Sequence, residues 1–156
     1  MPRYLADTSI WSWASKFSRP DITAKLSERV ANDEIVTCVP VVLEAMHRPD
    51  TSAKYETLYT DVYEPLDWLP LTETAAERAF EVQRALAARS NGYHRRSPND
   101  LLIAAIAEEN QDDDIIVWAF DDDYRIICQE TGQPHELEIS TGSGHQRLSA
   151  RPSTNQ

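Results

Sequence analysis

A chain of 156 residues is the length of one domain and long enough to bury a sizeable core. With 41% hydrophobic residues and 4 glycines it is neither disordered nor fibrous in composition, and its longest apolar runs, 101–107 and 115–120, are too short to cross a bilayer. Twenty-six acids against 15 Lys plus Arg give a net charge of −11, which argues against binding nucleic acid by general attraction to phosphate.

The chain opens Met1-Pro2-Arg3-Tyr4-Leu5-Ala6-Asp7, without the long apolar stretch of a signal peptide, so a cytoplasmic protein is expected. Tyr4-Leu5-Ala6 reads as a short strand ending at Asp7-Thr8-Ser9, with a brief helix through Trp11 and Trp13. Ile22, Leu26 and Val30 share one face of a helix predicted over Asp21 to Ala31. Ile35-Val36-Thr37-Cys38 reads as a buried strand, and Pro40 suits the first turn of a helix carrying Glu44. Residues 52–63 are predicted helical, with Tyr55, Leu58, Tyr59 and Val62 on one side, and Leu66 to Leu71 is a strand candidate broken by Pro70.

Thr72 caps the clearest helix, predicted to run to Arg89 with Ala76, Ala79, Phe80, Gln83 and Ala87 at helical spacing; Ser90-Asn91-Gly92 ends it. Ser97-Pro98-Asn99-Asp100 then opens a helix with a capping residue and a proline, and its body 101–107 is apolar all round and therefore central. Ile115-Ile116-Val117-Trp118 reads as a buried parallel strand leading into Asp121-Asp122-Asp123, followed by a helix through Ile127 and a strand near Leu137 to Ile139. From Thr141 the composition turns polar, so residues 1–140 are expected to form the domain and 141–156 a disordered tail. Strands alternating with helices predict an α/β fold with a mostly parallel sheet, whose ligands bind outside the carboxyl ends of the strands.

Asp7 and Asp121 fall just after strands. Each acid also has a plainer role: Asp7 as a helix cap, Asp100 in a capping box with Ser97, and the 121–123 triplet as solvated turn acids. Glu44 is the sole charge between Cys38 and Met46, and an unpaired carboxylate buried there would cost several kcal/mol unless it lies at a surface edge. Together the acids suit another use. If they converge, their repulsion calls for cations, and carboxylate-only sites favour hard ions such as Mg²⁺ or Mn²⁺, which activate water and clamp a phosphodiester.

Four stretches carry a resemblance: Leu5-Ala6-Asp7-Thr8-Ser9, Val41-Val42-Leu43-Glu44, Ser97-Pro98-Asn99-Asp100-Leu101-Leu102-Ile103-Ala104-Ala105, and Val117-Trp118-Ala119-Phe120-Asp121-Asp122-Asp123-Tyr124-Arg125-Ile126. In this order and spacing the chain resembles a PIN domain of the VapC type, the ribonuclease toxins of bacterial toxin–antitoxin pairs, from residue 3 to about 140. Thr131-Gly132-Gln133-Pro134 resembles the family's C-terminal region. The resemblance implies a three-layer sandwich with a central sheet flanked by helices. It also implies that Asp7, Glu44, Asp100 and Asp121 are catalytic metal ligands, with Asp123 as a further metal acid and Thr8 or Ser9 in support. A metal-dependent endoribonuclease follows, leaving a 5′-phosphate and a 3′-hydroxyl, with an antitoxin as partner and a homodimer as assembly. Many members carry Thr or Ser where this chain has Ala119, which removes one supporting hydrogen bond.

RNA would need further cations. Between Gln83 and Asn99 there is no acid, while Arg84, Arg89, His94, Arg95 and Arg96 fall there. Arg89, Arg95 and Arg96 are candidates for a phosphate-facing flap with Tyr93 for base stacking; the plainer reading is a solvated helix end. The four histidines show no metal spacing, Cys38 and Cys128 read as reduced core thiols, and the tryptophans read as packing residues, with Trp11 and Trp13 also candidates for a dimer or antitoxin surface. Two other classes compete. A receiver-type signalling module needs a lysine after a late strand, and Lys16, Lys25 and Lys54 are all early. A PIN-like module that binds without cleaving is disfavoured by the intact acids.

Overall fold

The computed structural model describes residues 1–16, 18–89, 92 and 94–138. The expectations for Ser90, Asn91, Tyr93, Ile139 and the tail lie outside them. Five strands form one sheet: β1 (Arg3–Ala6), β2 (Ile35–Cys38), β3 (Asp67–Leu69), β4 (Ile115–Ala119) and β5 (His135–Leu137), in the order β3-β2-β1-β4-β5. Every pairing is parallel, with Tyr4 beside Ile35 on one flank of β1 and Ile116 on the other.

The strands bury both faces and alternate between them. Leu5, Val36, Cys38, Val117 and Ala119 pack on one side, against α5 (Glu73–Ala88), α6 (Pro98–Glu109) and α7 (Asp123–Thr131). Ala6, Ile35 and Trp118 face the other side, against α1 (Thr8–Ala14) and α2 (Pro20–Ala31). Period-two alternation inside near-continuous apolar runs is what a parallel sheet covered on both faces requires. The result is the three-layer sandwich expected from the sequence. Cys38 and Cys128 are buried free thiols. Among the described residues, no helix is long and apolar enough to cross a membrane.

Edge strand β5 is tied to α2 by charge. Lys25 pairs with Glu136 and Glu138, Arg29 reaches Glu136 at 2.9 Å, and Trp118 Nε1 donates to Glu138 at 3.0 Å. The Arg29 guanidinium also lies over the rings of Tyr4 and Trp118, at 3.5 and 4.2 Å.

Two helices depart from expectation. The buried stripe of α5 is Ala75, Ala79, Val82 and Leu86, rotated from the predicted face, and Phe80 is 70% exposed. Both stripes have helical spacing, and the bulk of Phe80 favours the wrong one. The segment 52–63 is not one α-helix: α4 (Ser52–Leu58) loosens into a π-turn over Tyr59–Tyr63, burying Tyr63 edge-on against Trp11 with ring centroids 5.2 Å apart. The remaining helix, α3 (Val39–Ala45), is short and carries Pro40 in its first turn as expected.

The two halves of the sheet diverge at β1. The chain runs outward from β1 to β2 and β3, then returns to place β4 on the other flank of β1. The gap between the carboxyl ends of β1 and β4 is therefore the topological switch point, where a doubly covered parallel sheet opens a crevice.

Candidate metal centre

Asp7 sits on that gap as the first residue after β1 and is 4% exposed. Its extended backbone makes it the N-cap of α1, where Oδ2 accepts from Ser9 N at 3.1 Å. The capping role and the site role coexist. Ser9 Oγ accepts from Phe120 N at 2.9 Å, so the residue that steadies Asp7 also ties the end of β1 to the end of β4. Thr8 Oγ1, beside them, is buried without a hydrogen-bond partner among the described residues.

Asp100 enters from the first turn of α6 and is 6% exposed. Ser97 makes no side-chain cap bond, so the capping box expected from their spacing does not form. Asp100 Oδ1 instead meets the Tyr124 hydroxyl at 3.1 Å, and the same hydroxyl lies 2.9 Å from Asp7 Oδ1. Asp121 follows β4, where its Oδ1 accepts from Asp123 N at 2.9 Å and shapes the entry to α7. Asp123 opens α7 and pairs with Arg96. Asp122 turns away to Arg125, at 2.8 Å, which holds its carboxyl below the usual range.

One carboxylate oxygen from each of Asp100, Asp121 and Asp123 lies within 4.8 Å of the others, near enough to share one ion. Asp7 joins this triad through Tyr124. Glu44 is held more loosely: Asn99 Nδ2 donates to its Oε2 at 3.3 Å. Glu44 is exposed, as is its neighbour Leu43 at 67%, so the desolvation argument made from its apolar surroundings does not apply. Leu43 and Glu44 lie on the outer face of α3, whereas Val41, Val42 and Ala45 face inward.

The electrostatics describe a site short of positive charge. Burial pushes the Asp7 carboxyl up, opposed by hydrogen bonds from Ser9 and Tyr124 and reinforced by Glu44. Asp100 is pushed up to about 7 by burial first, then by the charges of Asp7 and Asp121. Burial also drives the Tyr124 phenol well above its usual range, with the two carboxylates adding to it. The phenol has one hydrogen for two carboxyl contacts, so it donates to one of Asp7 and Asp100 at a time unless the other carries a proton. An all-oxygen donor set of this charge fits a hard divalent cation, which would supply the missing positive charge.

Two residues of the site were missed from the sequence. Tyr124 and Asn99 stand inside the motif stretches but received no role, because neither carries charge or periodicity. Of the RNA-facing candidates, Arg89 pairs with Glu130, Arg96 pairs with Asp123, and Arg95 is exposed.

Comparison with known proteins agrees with this geometry. A PIN domain profile matches residues 4–129. Ribonuclease VapC18 of Mycobacterium tuberculosis is 33% identical over 142 residues, covering 90% of this chain and 98% of that protein. Ribonuclease VapC51 of the same organism is 32% identical over 144 residues, covering 90% and 96%. Among solved structures, a chain of DNA-bound VapBC from Salmonella typhimurium superposes with a TM-score of 0.61 at 14% identity, over 90% of this chain and 98% of that one. A chain of VapBC2 from Rickettsia felis, bound to a DNA fragment from its promoter, gives 0.59 at 16% identity over 88% and 98%. These structures speak for the fold, and the sequence matches for the kinship: the chain belongs to the PIN-domain family, among its VapC-type members.

Proposed function

We propose that the protein is a metal-dependent endoribonuclease and the toxin of a toxin–antitoxin pair. The observation that carries this reading is the convergence of Asp7, Asp100, Asp121 and Asp123 at the carboxyl ends of β1 and β4, with Asp7 and Asp100 buried and pushed up in pKa. Four acids gathered in a crevice destabilise the fold unless they serve a cation. The relatives named ribonucleases support the choice of RNA as substrate.

Asp100, Asp121 and Asp123 would hold Mg²⁺ or Mn²⁺, with Asp7 and Glu44 completing the acidic wall. When bound, such a cation polarises the phosphodiester and makes water a stronger nucleophile. The water oxygen bonds to phosphorus, the P–O3′ bond breaks, and the 3′ oxygen leaves with a proton, giving a 5′-phosphate and a 3′-hydroxyl. Asp7 and Asp100, held by Tyr124 and Ser9, orient the reacting groups and can accept the proton released by the water. Ser9 supports Asp7 through its amide, and the exposed Arg95 before α6, with Arg89 and Arg96, would steer the RNA backbone.

An antitoxin would cover this crevice and mask its acids, and the toxin would pair as a homodimer; that the structural neighbours are VapBC assemblies supports a protein partner. The test is cleavage of end-labelled total RNA and tRNA with Mg²⁺ or Mn²⁺, comparing wild type with Asp7→Ala and Asp100→Ala. Discrete metal-dependent cuts lost in both variants support the reading. Folded wild-type protein that binds the metal yet cuts no RNA class would sink it, leaving a module that binds without cleaving.

A further inference from the structure

Tyr124 is fully buried, and a phenylalanine would fill nearly the same volume. Burying a hydroxyl costs a few kcal/mol unless it is hydrogen-bonded, so this one needs partners. Its partners are Asp7 Oδ1 at 2.9 Å and Asp100 Oδ1 at 3.1 Å, which belong to separate elements. Tyr124 itself stands in the first turn of α7, directly after Asp123 and three residues after Asp121. A single helix start therefore supplies two of the candidate ligands and the group that fixes two more carboxylates.

We propose that the Tyr124 hydroxyl is a positioning group that sets the orientation of Asp7 and Asp100 for the divalent cation, and with it the tightness of binding. The inference rests on the metal reading above. The hydroxyl lies against one oxygen of each carboxylate and gives its single hydrogen to one or the other, restraining their rotation about the Cβ–Cγ bonds so that the second oxygens are directed before the ion arrives. For Asp7 the other oxygen is steadied in turn by the Ser9 amide. Without the hydroxyl, two buried carboxyls would be free to rotate apart under their mutual repulsion, and a bound ion would have to order both. Partners of metal ligands of this kind typically govern affinity by about 10–100-fold when removed.

The experiment is Mn²⁺ titration of chelator-stripped, full-length protein, counting free Mn²⁺ by electron paramagnetic resonance, for wild type and Tyr124→Phe. Circular dichroism and urea unfolding establish that the variant is folded. The expected result is Mn²⁺ binding weaker by about 10–100-fold in Tyr124→Phe. In an Asp7→Ala background, which removes one of the hydroxyl's two partners, the same substitution should cost less than it does in wild type, because contacting residues are non-additive where a purely structural effect adds. Equal or tighter Mn²⁺ binding in Tyr124→Phe, or an undiminished effect in the Asp7→Ala background, overturns the proposal while leaving the metal reading intact. Wild-type protein that fails to bind Mn²⁺ overturns both. Should Tyr124→Phe fail to fold, 4-aminophenylalanine at position 124 retains a ring and a donor. Near-wild-type Mn²⁺ affinity supports the role, and a loss beyond tenfold refutes it.

Discussion

Asp100→Asn should stabilise the metal-free protein and abolish its response to metal. With an ordinary carboxyl value of 3.8 and a folded value of about 7, Asp100 binds its proton more tightly in the native state than in the unfolded chain. The sign follows from linkage. Its favourable contribution is fully present below 3.8 and is lost as pH rises through 7, because the unfolded chain ionises first. Above pH 8 the ionised, buried carboxylate costs the fold about 4 kcal/mol, at about 1.36 kcal/mol per tenfold change in proton affinity.

Asparagine keeps the shape and an acceptor for Tyr124 but carries no charge. Allowing about 1 kcal/mol for a weakened hydrogen bond leaves a net gain of about 3 kcal/mol at pH 8 and little at pH 4. For a domain of this size that is a rise in Tm of roughly 6–12 °C. The assay is thermal and urea unfolding in chelator from pH 4 to 8.5, repeated with saturating Mn²⁺. Wild type should lose stability as pH climbs and recover it with metal, while Asp100→Asn should lose less, its remaining slope coming from the buried Asp7, and ignore the metal. An Asp100→Asn protein no more stable than wild type at pH 8 in chelator would refute the reasoning, since charge crowding would then not limit the metal-free fold.

The other predictions separate face from face and loop from site. Leu86→Ala, on the buried stripe of α5, should cost about 2–5 kcal/mol by urea unfolding, whereas Phe80→Ala, 70% exposed, should stay within about 0.5 kcal/mol. Gly132 holds φ 75 at the end of α7 with its amide donating to Cys128 O at 2.8 Å; Gly132→Ala meets no clash but should lose about 1 kcal/mol through backbone strain, with Mn²⁺ affinity unchanged. Arg95→Glu should weaken RNA retention in filter binding without moving Mn²⁺ affinity. Arg96→Glu should disturb both, because Arg96 is paired with Asp123 in the site.

How legible the site was depends on whether a residue's surroundings are written near it in the chain. β2 was read to the residue and the ends of α2 and α5 to within a few, because alternating buried strands and helical spacing are local patterns. Asp7 and Asp121 were legible too, since a strand in a covered parallel sheet delivers the residue after it to the crevice. The errors share a cause. The face of α5 was chosen by the bulk of Phe80, although tertiary packing prefers the smaller Ala75 and Ala79 where α5 lies against α6. For Glu44 the apolar neighbours left burial and a surface edge both open, and the fold places it with Leu43 on the outer face of α3 while Ala45 beside them is buried.

Asp100 and Tyr124 show the limit most clearly. By spacing, Asp100 belongs to Ser97 three residues before it, and nothing local contradicts that. In the fold, the competing partner comes from 24 residues further on, when α7 packs across α6 and brings a buried phenol to the carboxylate. A surface cap exchanges one solvated hydrogen bond for another. A buried carboxylate must find a partner or keep its proton, so at Asp100 the long-range contact outweighs the local one. The acids that make the site can therefore be listed from the chain, whereas the hydroxyl that holds two of them together is visible only once the helices have packed.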